Sequence, residues 1–396
     1  MPRTLFVLQG GGPTSVINAT LAGIAERGAG QFDQLIGLRH SFEIISENKL
    51  CDLSQLLQGE AVASRLKLLA DTPGALLGSS RKKVDEPAMH HLLNTLREHH
   101  ASDLIGIGGN GTMSVLNTLS EYAASEGYPL NILGAPKTVD NDLTGVHAAP
   151  GYGSAARFVA LAVRDYDRDF KAMSTFDDVT ILETMGRNCG WIAAASTLLK
   201  QSEEDAPHIL LMPEQSFDEA HFLDYVADCH ARYGRVFIVT NEMLSDAGGG
   251  IVGEAVQNGP RDGLGRAMYS LSTGTGNFLA ELIWTRLGLQ ARCLRPGSLG
   301  RAVSYCQSEP DRDLALAVGR EAVSRLLAGE SQQHMITVNE QLQLSIQRLA
   351  QCAGENPLPE IFLSKESPYK VTTAFRKFAL PLIGEIRPLF DDEGSG

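Results

Sequence analysis

The feature that most constrains this chain is a recurrence. An apolar run empties into glycines, and the glycines lead into a helical pattern. It occurs first at residues 4–9, followed by Gly10-Gly11-Gly12 and by a helical pattern over 13–27 carried by Val16, Ile17, Ala19, Leu21 and Ile24. It returns at Asp103-Leu-Ile-Gly-Ile-Gly-Gly-Asn-Gly-Thr112, with a helix expected from about Met113. Such a turn leaves backbone N–H groups free and puts no Cβ in the way of an approaching phosphate. The same turn also occurs where nothing binds, and at the first turn, Gly10-Gly11-Gly12, the Gly-x-Gly-x-x-Gly spacing of dinucleotide sites is missing.

A third apolar run, 130–135, ends in Pro136-Lys-Thr-Val-Asp-Asn-Asp142. Asp140 and Asp142 are two residues apart, which suits either a solvated turn or a working carboxylate pair. A phosphate cradle beside paired carboxylates is what phosphoryl transfer requires: an anion site, a metal site and a base. Further strands are expected at 35–38, 179–183, 208–212 and 235–240, and helices over 154–163, 190–200, 274–288 and 313–328, with a frayed acidic tail at 391–396. This alternation implies an α/β architecture with mainly parallel sheets flanked by helices, whose ligands sit beyond the carboxyl ends of the strands.

The chain has 396 residues, 43% of them hydrophobic, enough for two domains. A net charge of −13 argues against nucleic acid or an anionic membrane as partner. It also means that cations for a phosphate must be gathered locally. Arg81-Lys82-Lys83, directly after Gly78-Ser79-Ser80, is either such a cluster or a wet surface. The six cysteines show no Cys-x-x-Cys spacing and read as reduced thiols of a cytoplasmic protein. No leader and no membrane span is expected. His90-His91 and His99-His100 read as a solvated helix face rather than a metal site.

These motifs, in this order, resemble the phosphofructokinase family, most closely its pyrophosphate-dependent branch, over about residues 4–330. Gly11-Gly12 with Asn18-Ala19 resembles the first phosphate turn, Gly78-Ser79-Ser80-Arg81 the donor arginine motif, and Gly108-Gly109-Asn110-Gly111-Thr112 the donor and metal loop. Pro136 to Asp142 resembles the catalytic segment. Met185-Gly186-Arg187, Glu242 and Arg301 resemble the sugar-phosphate site. The resemblance implies two similar α/β domains with the active site in the cleft between them. One is expected to comprise residues 1–140 plus about 275–305 and to bind the donor. The other is expected to comprise 141–274 plus about 306–330 and to bind the sugar phosphate. Residues 331–396 form an extension without a readable motif, in which Lys370 of Ser367-Pro368-Tyr369-Lys370 is either near the sugar or on a surface turn.

The resemblance also implies roles. Asp140 is the general base, Asp142 holds metal or orients the base, and Thr138 serves both catalysis and substrate binding. Gly11, Gly12, Gly109, Gly111, Thr112, Lys137 and Arg81 bind the donor phosphates. Arg187 neutralises transferring oxygens, and Arg292 and Arg301 are candidates for the 6-phosphate clamp, Arg292 being otherwise a surface arginine. Mg²⁺ bridges the donor phosphates, and the active form is a homo-oligomer, a dimer or tetramer. Lys137 favours pyrophosphate over ATP by placing a fixed cation beside a small, dense anion, whereas Gly111 leaves room for ATP. Asn110 stands where the family has a metal-associated Asp. Asp178 stands where it has a basic residue reaching a neighbour's sugar phosphate, and Ser298 where it has a larger polar residue. The leading expectation is phosphoryl transfer from pyrophosphate or ATP to the 1-hydroxyl of fructose 6-phosphate. The alternatives are a kinase of the same fold with another sugar or sugar phosphate as acceptor, and a non-catalytic sugar-phosphate-binding paralogue.

Overall fold

A computed structural model describes residues 3–43, 50–80, 82, 84–173, 175–253, 274–330, 333–352 and 354–389. Its first half opens with β1 (Thr4–Gln9), α1 (Ile17–Gly28), β2 (Gln34–Leu38), β3 (Leu50–Asp52), α2 (Val62–Ala70) and α3 (Glu86–Glu98). It continues with β4 (Ala101–Gly108), α4 (Asn110–Ser125), β5 (Asn131–Pro136) and α5 (Tyr152–Ala172). The second half contains β6 (Val179–Thr184), α6 (Trp191–Ala195), β7 (Ile209–Leu211), α7 (Glu219–Tyr233), β8 (Val236–Asn241), α8 (Thr275–Leu287) and β9 (Ala291–Leu294). The chain then returns through α9 (Glu309–Ala328), β10 (His334–Val338), β11 (Leu344–Arg348) and α10 (Thr373–Ala379).

Two sheets result. The larger runs β11-β10-β5-β4-β1-β2-β3, parallel through its middle and closed by an antiparallel strand at each edge. The smaller runs β7-β8-β6-β9 and is parallel throughout. β1 is buried along its whole length and β4 along nearly all of it, the mark of strands covered on both faces. This is the expected α/β architecture of mainly parallel sheets flanked by helices.

The expected domain boundaries are corrected in two places. Residues 275–305, expected with the donor half, supply α8 and β9, and β9 pairs with β6 in the smaller sheet. Conversely α9, expected with the sugar half, lies against α1 on the larger sheet. The cause is a pair of glycines. A Cβ at Gly23 would stand 2.3 Å from the Leu316 carbonyl oxygen, and one at Gly319 would stand 2.1 Å from that of Thr20. Only helices without side chains at these points approach so closely. The extension also has a structural role, since β10 and β11 widen the larger sheet beside β5.

Local differences have local causes. The helix expected over 190–200 is α6, only five residues long, and then a series of turns ending near Lys200, whose ammonium donates to the carbonyls of Glu203, Asp205 and Pro207. The helix expected from Met113 begins at Asn110, which places the Gly109-Asn110-Gly111-Thr112 segment at a helix N-terminus. The tail at 391–396 lies outside the described residues.

Substituting Gly319→Ala forces a methyl group into a backbone carbonyl. We expect a loss of about 1–3 kcal/mol, of the size of core overpacking, read as a lower urea midpoint with unchanged m-value.

Candidate active site

Parallel pairing brings the motif turns together. Gln9 lies beside Ile107, and Gly108 beside Pro136, so the turns after β1, β4 and β5 emerge at one edge of the sheet. Backbone hydrogen bonds carry the pairing onward, from Gly10 N–H to the Ile107 carbonyl at 2.8 Å and from Lys137 N–H to the Gly108 carbonyl at 3.0 Å. Between these turns and the end of β6 lies a cavity of about 430 Å³. Gly11, Gly12, Gly109, Gly111, Thr112 and Lys137 line it from the glycine turns and the end of β5. Asn110, Thr138, Asp140 and Asp142 also line it, forming its carboxylate floor, with Met185 and Arg301.

In the first glycine turn, Gly11 has φ +73°, and a Cβ there would stand 3.3 Å from Lys137 Nζ. Lys137 is 2% exposed and donates from Nζ to the Gly12 carbonyl at 2.7 Å. The cation is therefore held beneath the glycine turn rather than swinging in solvent. α4 starts at Gly109 with no side-chain cap, so its first N–H groups and the positive end of its dipole are available to an anion. Gly108 is required by packing, because a Cβ would meet Thr112 Oγ1 at 2.1 Å. Gly111 is not, because a Cβ there would meet open space. Arg81 lies outside the described residues; its neighbours Ser80 and Lys82 line the cavity.

The carboxylate turn is locked from several directions. Thr138 Oγ1 accepts from the Asp140 N–H at 3.1 Å. Asn141 is fully buried with φ +53°, a conformation that asparagine tolerates because its side chain binds nearby backbone. Here its side chain donates to the His147 carbonyl and accepts from the Ala149 N–H. Asn110 Nδ2 donates to Asp142 twice, to the backbone carbonyl at 3.1 Å and to Oδ2 at 3.0 Å. This leaves Asn110 Oδ1 and Asp142 Oδ1 buried without a hydrogen-bond partner. Two such oxygens on one floor fit a hard cation that takes its remaining ligands from phosphate. Among the described residues, no three His, Cys, Asp or Glu side chains make a protein-only metal site.

Behind the turn, Asp311 accepts from the Gly151 and Ser154 N–H groups and the Ser154 hydroxyl, which fixes the start of α5. The Thr138 N–H in turn donates to the Pro150 carbonyl. Burial raises the Asp311 carboxyl to about 6. Nothing in the sequence pointed to Asp311, which lies at the start of α9, remote from every motif.

In the turn after β6, Gly186 has φ +111°, and its carbonyl accepts from Asn241 Nδ2 at 2.8 Å. Asn241, also unmarked by the motifs, binds the Cys189 carbonyl as well and so shapes the whole Met185–Cys189 turn. Gly186, Arg187 and Glu242 are not among the residues that line the cavity, and Arg187 lies 3.6 Å from Glu242. Arg292 is elsewhere: half-exposed on β9, it pairs with buried Asp177 at 2.6 Å. Lys370 pairs with Glu203 at 2.6 Å, the surface alternative for that motif. Asp178 precedes β6, at the opposite end from Met185, and accepts from the Gln290 N–H at 2.9 Å. Its carboxylate thus joins two strands and does not face the cavity. Ser298 sits in an exposed turn whose carbonyl accepts from the Arg301 N–H.

A family model described as phosphofructokinase matches residues 4–326. The chain belongs to the phosphofructokinase family. It is 35% identical to the pyrophosphate–fructose 6-phosphate 1-phosphotransferase of Xanthomonas campestris, over 97% of this chain and 92% of that one. It is also 32% identical to the sulfofructose kinase of Alkalicoccus urumqiensis, over 91% and 92% of the two lengths. Among solved structures, the pyrophosphate-dependent phosphofructokinase of Marinobacter aquaeolei superposes with a TM-score of 0.80 at 30% identity, covering 98% of this chain and 94% of its own.

Because folding raises the Asp311 pKa above its ordinary value of 3.8, the folded state holds a proton that the unfolded chain has released. Its contribution to stability therefore falls as pH rises from about 4 to about 6, by about 3 kcal/mol for a two-unit shift, and is flat above. Subtracting the urea stability of Asp311→Asn from that of the wild type at each pH isolates this slope.

Proposed function

We propose that this phosphofructokinase moves a phosphoryl group from pyrophosphate to the 1-hydroxyl of fructose 6-phosphate, giving fructose 1,6-bisphosphate. The observation that carries this reading is buried Lys137, whose ammonium is fixed on the Gly12 carbonyl beneath the donor turn. Pyrophosphate has no base to stack and a high charge density, so a fixed, desolvated cation favours it over a nucleotide. The activities for which the Xanthomonas and Marinobacter relatives are named support the same donor.

In this reading Asp140 takes the hydroxyl proton as the oxygen attacks the near phosphorus, the P–O–P bridge breaks, and orthophosphate leaves. The Gly11 turn and the α4 N-terminus hold the donor oxygens. Arg301 and Arg187 counter charge on the acceptor side. Phosphoryl transfer is mainly positioning and charge stabilisation, and this set supplies both. Mg²⁺ fits the oxygens of Asn110 and Asp142, and when bound it supplies charge neutralisation to the donor phosphates. We further propose a cytoplasmic homo-oligomer acting in glycolytic sugar-phosphate metabolism; among the described residues no helix is long and apolar enough to cross a membrane.

A second reading, another sugar phosphate or sulfonate as acceptor, is favoured by one observation. Arg292, a candidate for the 6-phosphate clamp, is engaged by Asp177. The sulfofructose kinase relative is named for such an acceptor.

A coupled assay with pyrophosphate and with ATP tests the donor. Lys137→Met should lower kcat with pyrophosphate at least 100-fold and leave ATP turnover, if any, nearly unchanged; equal losses with both donors would refute donor selection by this lysine. Turnover with neither donor on fructose 6-phosphate, but with another phosphorylated or sulfonated ketose, would move the assignment to the second reading.

Asn110→Asp provides a separate test of the floor. It replaces a donated hydrogen bond by two facing carboxylates, and unit charges 4 Å apart repel by about 4 kcal/mol at an effective dielectric of about 20. The variant should melt lower than wild type in EDTA and bind Mg²⁺ more tightly. Unchanged melting and unchanged Mg²⁺ affinity would remove this position from the metal site.

A further inference from the structure

The segment from Glu355 to Leu358 lies in the extension where no motif was readable, yet it crosses behind the catalytic turn. Glu355 forms an antiparallel bridge with Leu143, immediately after the carboxylate pair. Its carboxylate accepts from the side chain of Asn188 in the acceptor turn. The Leu358 N–H donates at 2.7 Å to Glu214, which also accepts from the Gly190 N–H at 2.9 Å.

Asn356 stands at the centre of this strap, and three of its polar groups are used. Its N–H donates to the Asp142 carbonyl at 3.0 Å. Its Nδ2 donates to the Asn141 carbonyl at 3.3 Å. Its own carbonyl accepts from the indole N–H of buried Trp191 at 2.9 Å, at the start of α6. One residue thereby holds the turn of the first half and a helix of the second. The Asp142 carbonyl takes Asn356 from one element and Asn110 from another, so the backbone of the carboxylate turn is gripped on both sides. The grip falls where it matters most mechanically, because Asn141 between the two carboxylates is in the left-handed region. A residue there keeps its conformation only when its surroundings over-determine it.

We infer that Asn356 is a positioning residue for phosphoryl transfer. It fixes the aim of the Asp140 and Asp142 carboxylates and ties that aim to the acceptor half through Trp191. It touches no reacting group itself. The inference rests on the proposed function for its kinetic consequence, and on geometry alone for the ordering of the turn. A misplacement of about 1 Å at a reacting group costs on the order of 100-fold in rate, so loss of the grip should appear in kcat rather than in KM.

The test uses the full-length protein with Mg²⁺, pyrophosphate and fructose 6-phosphate. Asn356→Asp keeps the size of the side chain but cannot donate to the Asn141 carbonyl; Asn356→Ala removes the contact. Both should lower kcat 10- to 100-fold with each KM within threefold of wild type. Amide hydrogen exchange of peptides covering 138–146 should rise at least tenfold, with peptides of β4 and α4 unchanged. Trp191→Phe, which keeps the buried ring and removes its donor, should shift both readouts in the same direction by a smaller factor and covers the case in which an Asn356 variant fails to fold. Retention of kcat within twofold, or unchanged exchange at 138–146, would overturn the inference. Absence of turnover by the wild type with either donor would instead defeat the proposed function, and the exchange of 138–146 would then decide the positioning role alone.

Discussion

Three parallel strands that end together, β1, β4 and β5, are the constraint on which the rest of this structure depends. Their pairing register places three turns at one sheet edge. Each turn then brings a different chemical property. The first offers a glycine with positive φ, the second an uncapped helix start, and the third a buried lysine followed by two carboxylates. None of these is a site by itself. Hydrogen-bonded strands a few ångströms apart make them one, and the hydrogen bonds of Gly10 and Lys137 extend that order past the strand ends.

Electrostatics divides the cavity. The protein carries a net charge of −13, so an anion must be met by cations fixed against that background. Lys137 is held by a backbone carbonyl, and Arg301 closes the opposite side. The floor between them is acidic, and at position 110 an amide rather than a third carboxylate meets Asp142. That exchange lowers the charge repulsion on the floor before any cation arrives. Asn110 therefore reads as a different way of holding Asp142, with one oxygen still available to a metal.

The C-terminal extension is part of both halves. β10 lengthens the larger sheet next to the strand that ends in Pro136, while Tyr369 accepts, through its carbonyl, a hydrogen bond from Leu210 of the smaller sheet. Between these anchors lie Glu355 and Asn356, against the carboxylate turn. Because β10, the strap and Tyr369 bind different elements, the relative placement of donor and acceptor turns has a covalent path outside the cleft itself.

The sequence alone determined what was local. Apolar runs marked the central strands of both sheets, period-3.6 patterns marked several of the longer helices, and glycine turns after apolar runs marked two of the turns that line the cavity. The order of separated motifs marked the family, and the motif residues from Gly11 to Arg301 include much of the cavity lining, whereas Ser41, Phe42, Met89 and Val115 line it without belonging to any motif. Only the tertiary structure decided which sheet received β9 and which face received α9, because the first rests on pairing with β6 and the second on close backbone approaches of Gly23 to Leu316 and of Gly319 to Thr20, far apart in the chain. It also decided that Asp178 joins strands, that Arg292 pairs with Asp177, and that Asp311, Asn241 and Asn356 hold the working turns in place. Such residues carry no pattern of their own. Their role comes from backbone groups that folding brings to them, and a linear reading contains no trace of which carbonyl will lie within hydrogen-bond reach.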